Sequence, residues 1–79
     1  MSVPPWTEQR RAAVVAAIQS AGRIDQADLV GRLLDGHLFP TEISVTEAAR
    51  LAADRGEITR TVQRHGRHGR SFNYGNANA

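Results

Sequence analysis

The sequence predicts a mainly α-helical domain of three helices that ends in a small β-hairpin. Two observations support this fold class. Before Gly56, apolar residues recur at the three- and four-residue spacing of helices, in three blocks divided by glycines. After Gly56 the spacing changes to two, among mostly β-branched residues, which is typical of strands. The 79 residues suffice for one domain. We divide it into an N-terminal arm (1–6), a three-helix core (7–56), a hairpin (57–75) and a frayed tail (76–79).

The first helix is predicted over residues 8–21. Thr7 is a good N-cap, and Glu8 lies in the first turn, where the helix dipole favours an acidic side chain. Gly22 supplies the C-terminal stop. We expect Trp6 to pack over this helix as part of the core. The apolar residues that recur at helical spacing are Val14, Val15, Ile18 and Ala21.

The second helix is predicted over residues 26–35. Asp25 is its expected N-cap, and Gly36 is expected to end it. The turn that follows carries two large apolar residues, Leu38 and Phe39. We expect both of them to plug the core from that turn.

The third helix is predicted over residues 45–55. Ser44 and Glu47 have the spacing of a capping box, with Ser44 as the N-cap. Ile43 precedes this cap and is expected to form a hydrophobic staple with Ala48. The outward face is then polar and short-chained: Thr46, Glu47, Arg50, Ala53 and Asp54.

The hairpin is predicted from two alternating segments around a turn at residues 65–69. Phe72 and Tyr74 share one face of the returning strand, and they are expected to cover Ile58 and Val62. The residues expected to be buried together are Val14, Ile18, Leu29, Leu33, Val45, Ala49, Ile58 and Phe72.

The charges are unevenly distributed along the chain. The formal net charge is +2, and every basic residue other than histidine is an arginine. Residues 1–57 carry six arginines and eight acidic residues, a net of −2, whereas residues 58–79 carry four arginines and no acid, a net of +4. This asymmetry is typical of a protein with a polyanionic partner. The alternatives are a solvated basic tail and a coding bias toward arginine and alanine.

Several classes of function are not predicted. The chain has no cysteine, no signal-peptide pattern and no apolar run near the ~20 residues of a membrane span. We therefore expect a cytoplasmic protein without a membrane partner. His65 and His68 lack a third ligand, so no metal site is predicted. No catalytic motif is present, so we expect no enzyme activity, no cofactor and no small-molecule substrate.

Three helices followed by a hairpin, with the segment around Ile24 available as a third short strand, resemble the winged helix. The closest likeness is to the winged helix-turn-helix transcriptional regulators of bacteria and phages. The passage Arg55–Arg60 resembles the point where their recognition helix continues into the first wing strand. Residues 66–74 resemble their wing tip and return strand. The resemblance covers roughly residues 7–75.

The resemblance implies binding of double-stranded DNA. It places the third helix in the major groove and the wing tip on the backbone or in the minor groove. The DNA-binding residues expected on this basis are Ser44, Thr46, Glu47 and Arg50 on the third helix, and Arg60, Arg64, Arg67 and Arg70 on the wing. Glycines beside these wing arginines allow close approach to a phosphate, and an arginine fork matches phosphate or guanine geometry.

Two alternatives belong to other classes of function. The acidic residues Glu47 and Asp54 on the outward face of the third helix favour a winged helix that binds a protein, such as a phage-encoded inhibitor or a subunit of a larger complex. A hairpin that binds RNA or single-stranded DNA would need exposed aromatic residues, and only Phe72 and Tyr74 lie near. A homodimer through the first helix is compatible with either function.

Overall fold

The computed structural model describes residues 5–64 and 66–77, and these residues form three helices and a three-stranded antiparallel sheet. The last strand in the sequence is the central strand of the sheet, because the strand order is β1-β3-β2. The predicted three helices, the hairpin and the third strand at Ile24 are confirmed. In chain order, the elements are α1 (Pro5–Ala21), β1 (Arg23–Asp25), α2 (Gln26–Leu33), α3 (Glu42–Asp54), β2 (Ile58–Arg64), a short 3-10 turn (Gly66–His68) and β3 (Arg70–Asn76).

The start of α1 differs from the prediction. The helix begins at Pro5, one turn before residue 8. Proline suits a first helical turn, because its missing amide would have no partner there. Thr7 therefore lies inside the helix, and its prediction as the N-cap is wrong. The prediction that Trp6 packs into the core is also wrong, because this residue is 52% exposed.

α2 begins as predicted and ends early. Asp25 is the N-cap, and its carboxylate accepts a hydrogen bond from the Asp28 amide at 2.8 Å. The last helical residue is Leu33 instead of Asp35, so Gly36 is not what ends the helix.

The turn after α2 explains why the helix ends early. The Asp35 carboxylate accepts hydrogen bonds from the amides of His37 at 2.8 Å and Phe39 at 3.0 Å. Such side-chain bonds give the backbone an alternative to the helix. The turn buries Phe39 and packs Leu38 against the core in part, which confirms the predicted role of both residues.

α3 begins one turn earlier than predicted, because its N-cap is Thr41 and not Ser44. The Thr41 side chain accepts from the Ser44 amide at 3.2 Å, and the Ser44 hydroxyl accepts from the Thr41 amide at 3.3 Å. This reciprocal pair is the capping box, so the pairing predicted between Ser44 and Glu47 is wrong. Ile43 lies in the first turn and is 65% exposed, so the predicted staple is wrong as well.

The core lies between the helices and the part of the sheet where all three strands meet. Leu33 and Phe72, expected to be fully buried, only pack against its edge. On β3 the buried aromatic residue is Tyr74, which pairs with Ile24 of β1. The buried apolar residues are Val14, Ile18, Ile24, Leu29, Phe39, Val45, Ala48, Ala49, Ala52, Ile58 and Tyr74.

The hairpin formed by β2 and β3 extends beyond this core. Val62 pairs with Phe72 and is 50% exposed, whereas Ile58, at the base of the same strand, is 2% exposed. β3 continues to Asn76, whose amide donates to the Gly22 carbonyl at 3.2 Å. The prediction that the frayed tail begins at residue 76 is therefore wrong.

Some predictions concern parts of the chain outside the described residues. They are the N-terminal arm over residues 1–4, the turn residue His65, and residues 78–79 of the tail. Within the described ranges, none of the helices has the length and apolar character needed to cross a membrane.

Candidate functional site

The strand register places most of the hairpin arginines on one face of the sheet. Residues directly opposite each other in an antiparallel pair share a face. Arg60 pairs with Tyr74, and Arg64 pairs with Arg70, so these three arginines lie on the same face as Phe72. Arg67 lies in the 3-10 turn that closes the hairpin. We call Arg60, Arg64, Arg67 and Arg70 the hairpin arginines, and all four are exposed.

Within the described part of the chain, no carboxylate forms an ion pair with a hairpin arginine; the three ion pairs observed there involve Arg11 and Arg55. Arg64 and Arg70 stand directly opposite each other. Like charges in this position destabilise a strand pair. The end of the hairpin is therefore a concentration of positive charge without a local counter-charge.

Arg60 differs from the other hairpin arginines, because aromatic residues hold its guanidinium. The guanidinium carbon lies 4.3 Å from the centre of the Phe72 ring, a cation–π contact. It also lies close to Tyr74. Burial raises the pKa of the Tyr74 hydroxyl, and the charge and hydrogen bond of Arg60 oppose that shift.

The predicted site residues of α3 differ in how far the structure exposes them. Ser44, expected as a DNA contact, is only 6% exposed and belongs to the capping box, so it does not lie on the exposed side of α3. Thr46 is half-buried, and its hydroxyl donates to the Ile43 carbonyl at 3.1 Å. Glu47 and Arg50 are exposed, as predicted. Ala53, also predicted to face outward, packs in part against the core.

A groove between α3 and the sheet brings four of the predicted residues together. Its volume is about 230 Å³. Ser44 instead borders a separate small cavity toward α1, and Arg64 and Arg70 line a different surface, at the far end of the hairpin. The residues that line the groove are Gln26 from α2, Thr46, Glu47 and Arg50 from α3, and Arg60, Phe72 and Tyr74 from the sheet.

At the base of the hairpin, an ion-pair network joins three elements. Arg11 on α1 forms ion pairs with Glu8 at 3.0 Å and with Glu57, which immediately precedes β2. Arg55 forms an ion pair with Glu8 at 2.7 Å. The hydrogen bonds from Arg55 and then from Arg11 lower the pKa of Glu8. We call Glu8, Arg11, Arg55 and Glu57 the ion-pair network; it ties the start of the hairpin to α1.

Three residues of the groove were not among the predicted site residues: Gln26, Phe72 and Tyr74. Gln26 lines it only because of the way α2 packs on the sheet, and no local pattern indicates this. The contact between Phe72 and Arg60 follows from the strand register, which pairs Phe72 with Val62, two residues from Arg60. A correct register for the hairpin would have revealed it, since diagonal neighbours on one face are within reach of long side chains.

The chemistry of these surfaces favours an anion. Arginines provide several hydrogen-bond donors each and no acceptor, in a geometry that fits phosphate and carboxylate. Among the described residues, no group of three or more potential metal ligands is present. Comparison of the chain with protein-family models, with curated protein sequences and with solved structures gives no match. The interpretation of the site therefore depends on its own residues.

Proposed function

We propose that the chain is a small winged helix-turn-helix domain that binds double-stranded DNA in the cytoplasm, as a transcriptional regulator of the bacterial or phage type. The observation that carries this proposal is the set of four hairpin arginines without a carboxylate partner in the described residues. The order of the elements and the strand order β1-β3-β2 are compatible with a winged helix. The proposal involves no catalytic step and no cofactor.

In the proposed complex, the exposed side of α3 enters the major groove. Arg50 is then the residue suited to a guanine edge, and Glu47 is suited to the amino group of a cytosine. The hairpin extends beyond the core, so its far end is free to reach the phosphate backbone. Ser44 has no place in this interface, because it is buried.

The hairpin contributes affinity through its charge. Phosphates placed around Arg64 and Arg70 would relieve the repulsion between these opposed side chains. Each neutralised phosphate also releases condensed counterions, which favours binding at low salt. Since such contacts read no base, they supply affinity for any duplex and fix the orientation of the protein.

A titration of random and selected duplexes at two or more salt concentrations tests the proposal. We expect the logarithm of the affinity to fall steeply with the logarithm of the salt concentration. Arg67→Ala should reduce that slope by about 1, and it should weaken all duplexes alike. Arg32→Ala removes an exposed arginine from the last turn of α2 and serves as the matched control, with a smaller effect. Absence of salt-dependent duplex binding in the wild-type chain contradicts the proposal.

A specific observation favours a second candidate, a module that binds another protein. Two acidic residues, Glu47 and Asp54, and the 65%-exposed Ile43 lie on α3. Acidic and apolar side chains suit a protein surface better than a DNA groove. Under this hypothesis neither Arg67→Ala nor Arg50→Ala changes duplex affinity. Single-stranded DNA or RNA that competes better than duplex would instead support the third alternative.

A further inference from the structure

The groove between α3 and the sheet has features that the hairpin end does not share. It is concave and is lined by residues of four elements, α2, α3, β2 and β3. Its volume of about 230 Å³ lies below the roughly 300–1,000 Å³ of pockets that enclose a drug-sized ligand. The groove is therefore suited to a small chemical group, or to one part of a larger ligand.

Gln26 lines this groove, and one end of its amide group is held by Tyr74. The Tyr74 hydroxyl donates to Oε1 of Gln26 at 3.0 Å. This bond fixes the amide group, so Nε2, with its two N–H donors, is directed away from the tyrosine. Among the residues that the structure describes, no acceptor is bound to Nε2.

Two arginines from different elements line the groove. Arg50 belongs to α3 and Arg60 to β2. The stacking on Phe72 restricts Arg60, which lowers the entropy lost when its donors engage a ligand. In the described part of the chain, neither arginine has a carboxylate partner.

We propose that this groove binds one phosphate group, with Arg50, Arg60 and Nε2 of Gln26 as the donors. The inference rests on the proposed function, because it assigns a position in the protein to one phosphate of the duplex. In this arrangement Arg50 contacts the backbone and not a guanine edge, and it helps to set the depth of α3 in the major groove. Phe72 and Tyr74 are positioning residues, since they orient Arg60 and Gln26 and need not touch the phosphate.

The charge of the groove favours a phosphodiester. Glu47 also lines it, so two arginines and one carboxylate leave a net charge of +1. A phosphodiester carries a single negative charge, which matches this balance. In this arrangement the Glu47 carboxylate faces the phosphate and not a cytosine. Because it repels the ligand, its removal should strengthen binding.

Two isosteric substitutions with opposite charge changes test the site. Gln26→Glu keeps an oxygen that accepts from Tyr74, and it replaces the Nε2 donor by a second carboxylate oxygen. We expect duplex affinity to fall about tenfold. Glu47→Gln removes the repelling carboxylate and should raise affinity by about threefold. Gln19→Glu makes the same change as Gln26→Glu at an exposed position of α1 and should reduce affinity much less.

A direct readout accompanies the affinities. In the full chain, the side-chain NMR signals of Gln26 Nε2 and Arg60 Nε are followed during titration with duplex DNA, and separately with sodium phosphate. The inference expects both signals to move together on addition of duplex, while the Nε signal of Arg32 moves little. Phe72→Leu should reduce the shift of the Arg60 signal.

The outcomes separate the inference from the proposed function. If duplex binds with steep salt dependence but leaves both signals unmoved, and Gln26→Glu behaves as Gln19→Glu does, the inference is overturned and DNA binding stands. If duplex does not bind but sodium phosphate moves both signals, the groove is a site for a free phosphate and the proposed function fails. If neither titrant moves them, the phosphate site is overturned.

Discussion

The arginines near the base of the hairpin and those at its far end differ in whether a carboxylate binds them. At its base, Arg11 and Arg55 are bound by Glu8 and by Glu57 across three elements. At its far end, Arg64 faces another arginine, and no described carboxylate pairs with it. The same residue type therefore stabilises the fold in one region, while in the other it is an unneutralised charge.

This difference shows how to separate structural charges from functional ones. The net charge of the chain does not distinguish the two groups of arginines. Their partners do: Arg11 and Arg55 are bound by carboxylates, whereas no carboxylate among the described residues pairs with a hairpin arginine. Charges left opposed to each other reduce stability in the free protein. They are better explained by a ligand that neutralises them.

The largest expected effect concerns two apolar residues on the same face of β2. Ile58 at the base is 2% exposed and Val62 is 50% exposed. Ile58→Ala should cost about 2–5 kcal/mol of unfolding free energy, by lost burial and the cavity left behind. Val62→Ala should change it by less than about 0.5 kcal/mol. Chemical denaturation measures both, and similar values for the two variants would contradict a core that ends at the base of the hairpin.

The second prediction concerns the ion-pair network. Arg11→Gln removes the partner of Glu57 and one partner of Glu8. An oxygen of Glu57 is already buried without a hydrogen bond, so loss of Arg11 leaves a poorly solvated carboxylate. We expect a loss of about 1–2 kcal/mol in unfolding free energy. Arg32→Gln, at an exposed position of α2, is the control. If the two variants are equally stable, the network does not anchor the hairpin.

Local and tertiary properties also differ in how well the sequence predicts them. The helices, the hairpin and the acid-free C-terminal segment followed from periodicity and charge, which are local properties. The N-cap of α3 did not, because Thr41 and Ser44 are both good caps one turn apart. Periodicity and charge also do not decide whether Phe72 or Tyr74 is the buried aromatic residue. Both lie on one face, and only the packing of the sheet on the helices decides which of them the core includes.

For the candidate site, the sequence indicated the exposed charges and missed what orients them. The tertiary contacts of Arg60 depend on the strand register, and those of Gln26 depend on the packing of α2. Ser44 was predicted as the N-cap because the helix was expected to start one turn later, and the resemblance made it a DNA contact. The earlier start puts Ser44 in the first turn, where it is buried and belongs to the capping box.

The third prediction is the pH dependence of the network. The pKa of Glu8 is lowered in the folded chain, chiefly by the hydrogen bond from Arg55 and then by the one from Arg11, below its ordinary value of 4.5. The unfolded chain therefore binds this proton more strongly. The stabilisation is complete above the ordinary pKa and is lost as the pH falls through the folded one. Glu8→Gln should flatten this fall in unfolding free energy below about pH 5.

A control is needed for the pH series, because the pKa of Asp35 is also lowered, by hydrogen bonds from the amides of Phe39 and then His37. Asp35 thus contributes in the same direction, and Glu8→Gln should remove only part of the dependence. Asp35→Asn should remove another part. If Glu8→Gln leaves the pH profile of the wild-type chain unchanged, the network does not stabilise the fold through Glu8.

The last prediction has the smallest expected change in unfolding free energy, and it tests the repulsion between two hairpin arginines. Arg64→Gln removes one of two charges that stand directly opposite each other. In the free protein at low salt, unfolding free energy should rise by about 0.2–1 kcal/mol, since a like-charge pair is relieved. At ~1 M salt, where the screening length falls to about 3 Å, the gain should disappear. With duplex DNA present the sign should reverse, because the wild-type chain gains more stability from the ligand that it binds more tightly. Thermal unfolding at two salt concentrations, with and without duplex, measures all four values. A variant less stable than the wild type in low salt without DNA would mean that Arg64 makes a stabilising contact, and the contrast between the two ends of the hairpin would then fail.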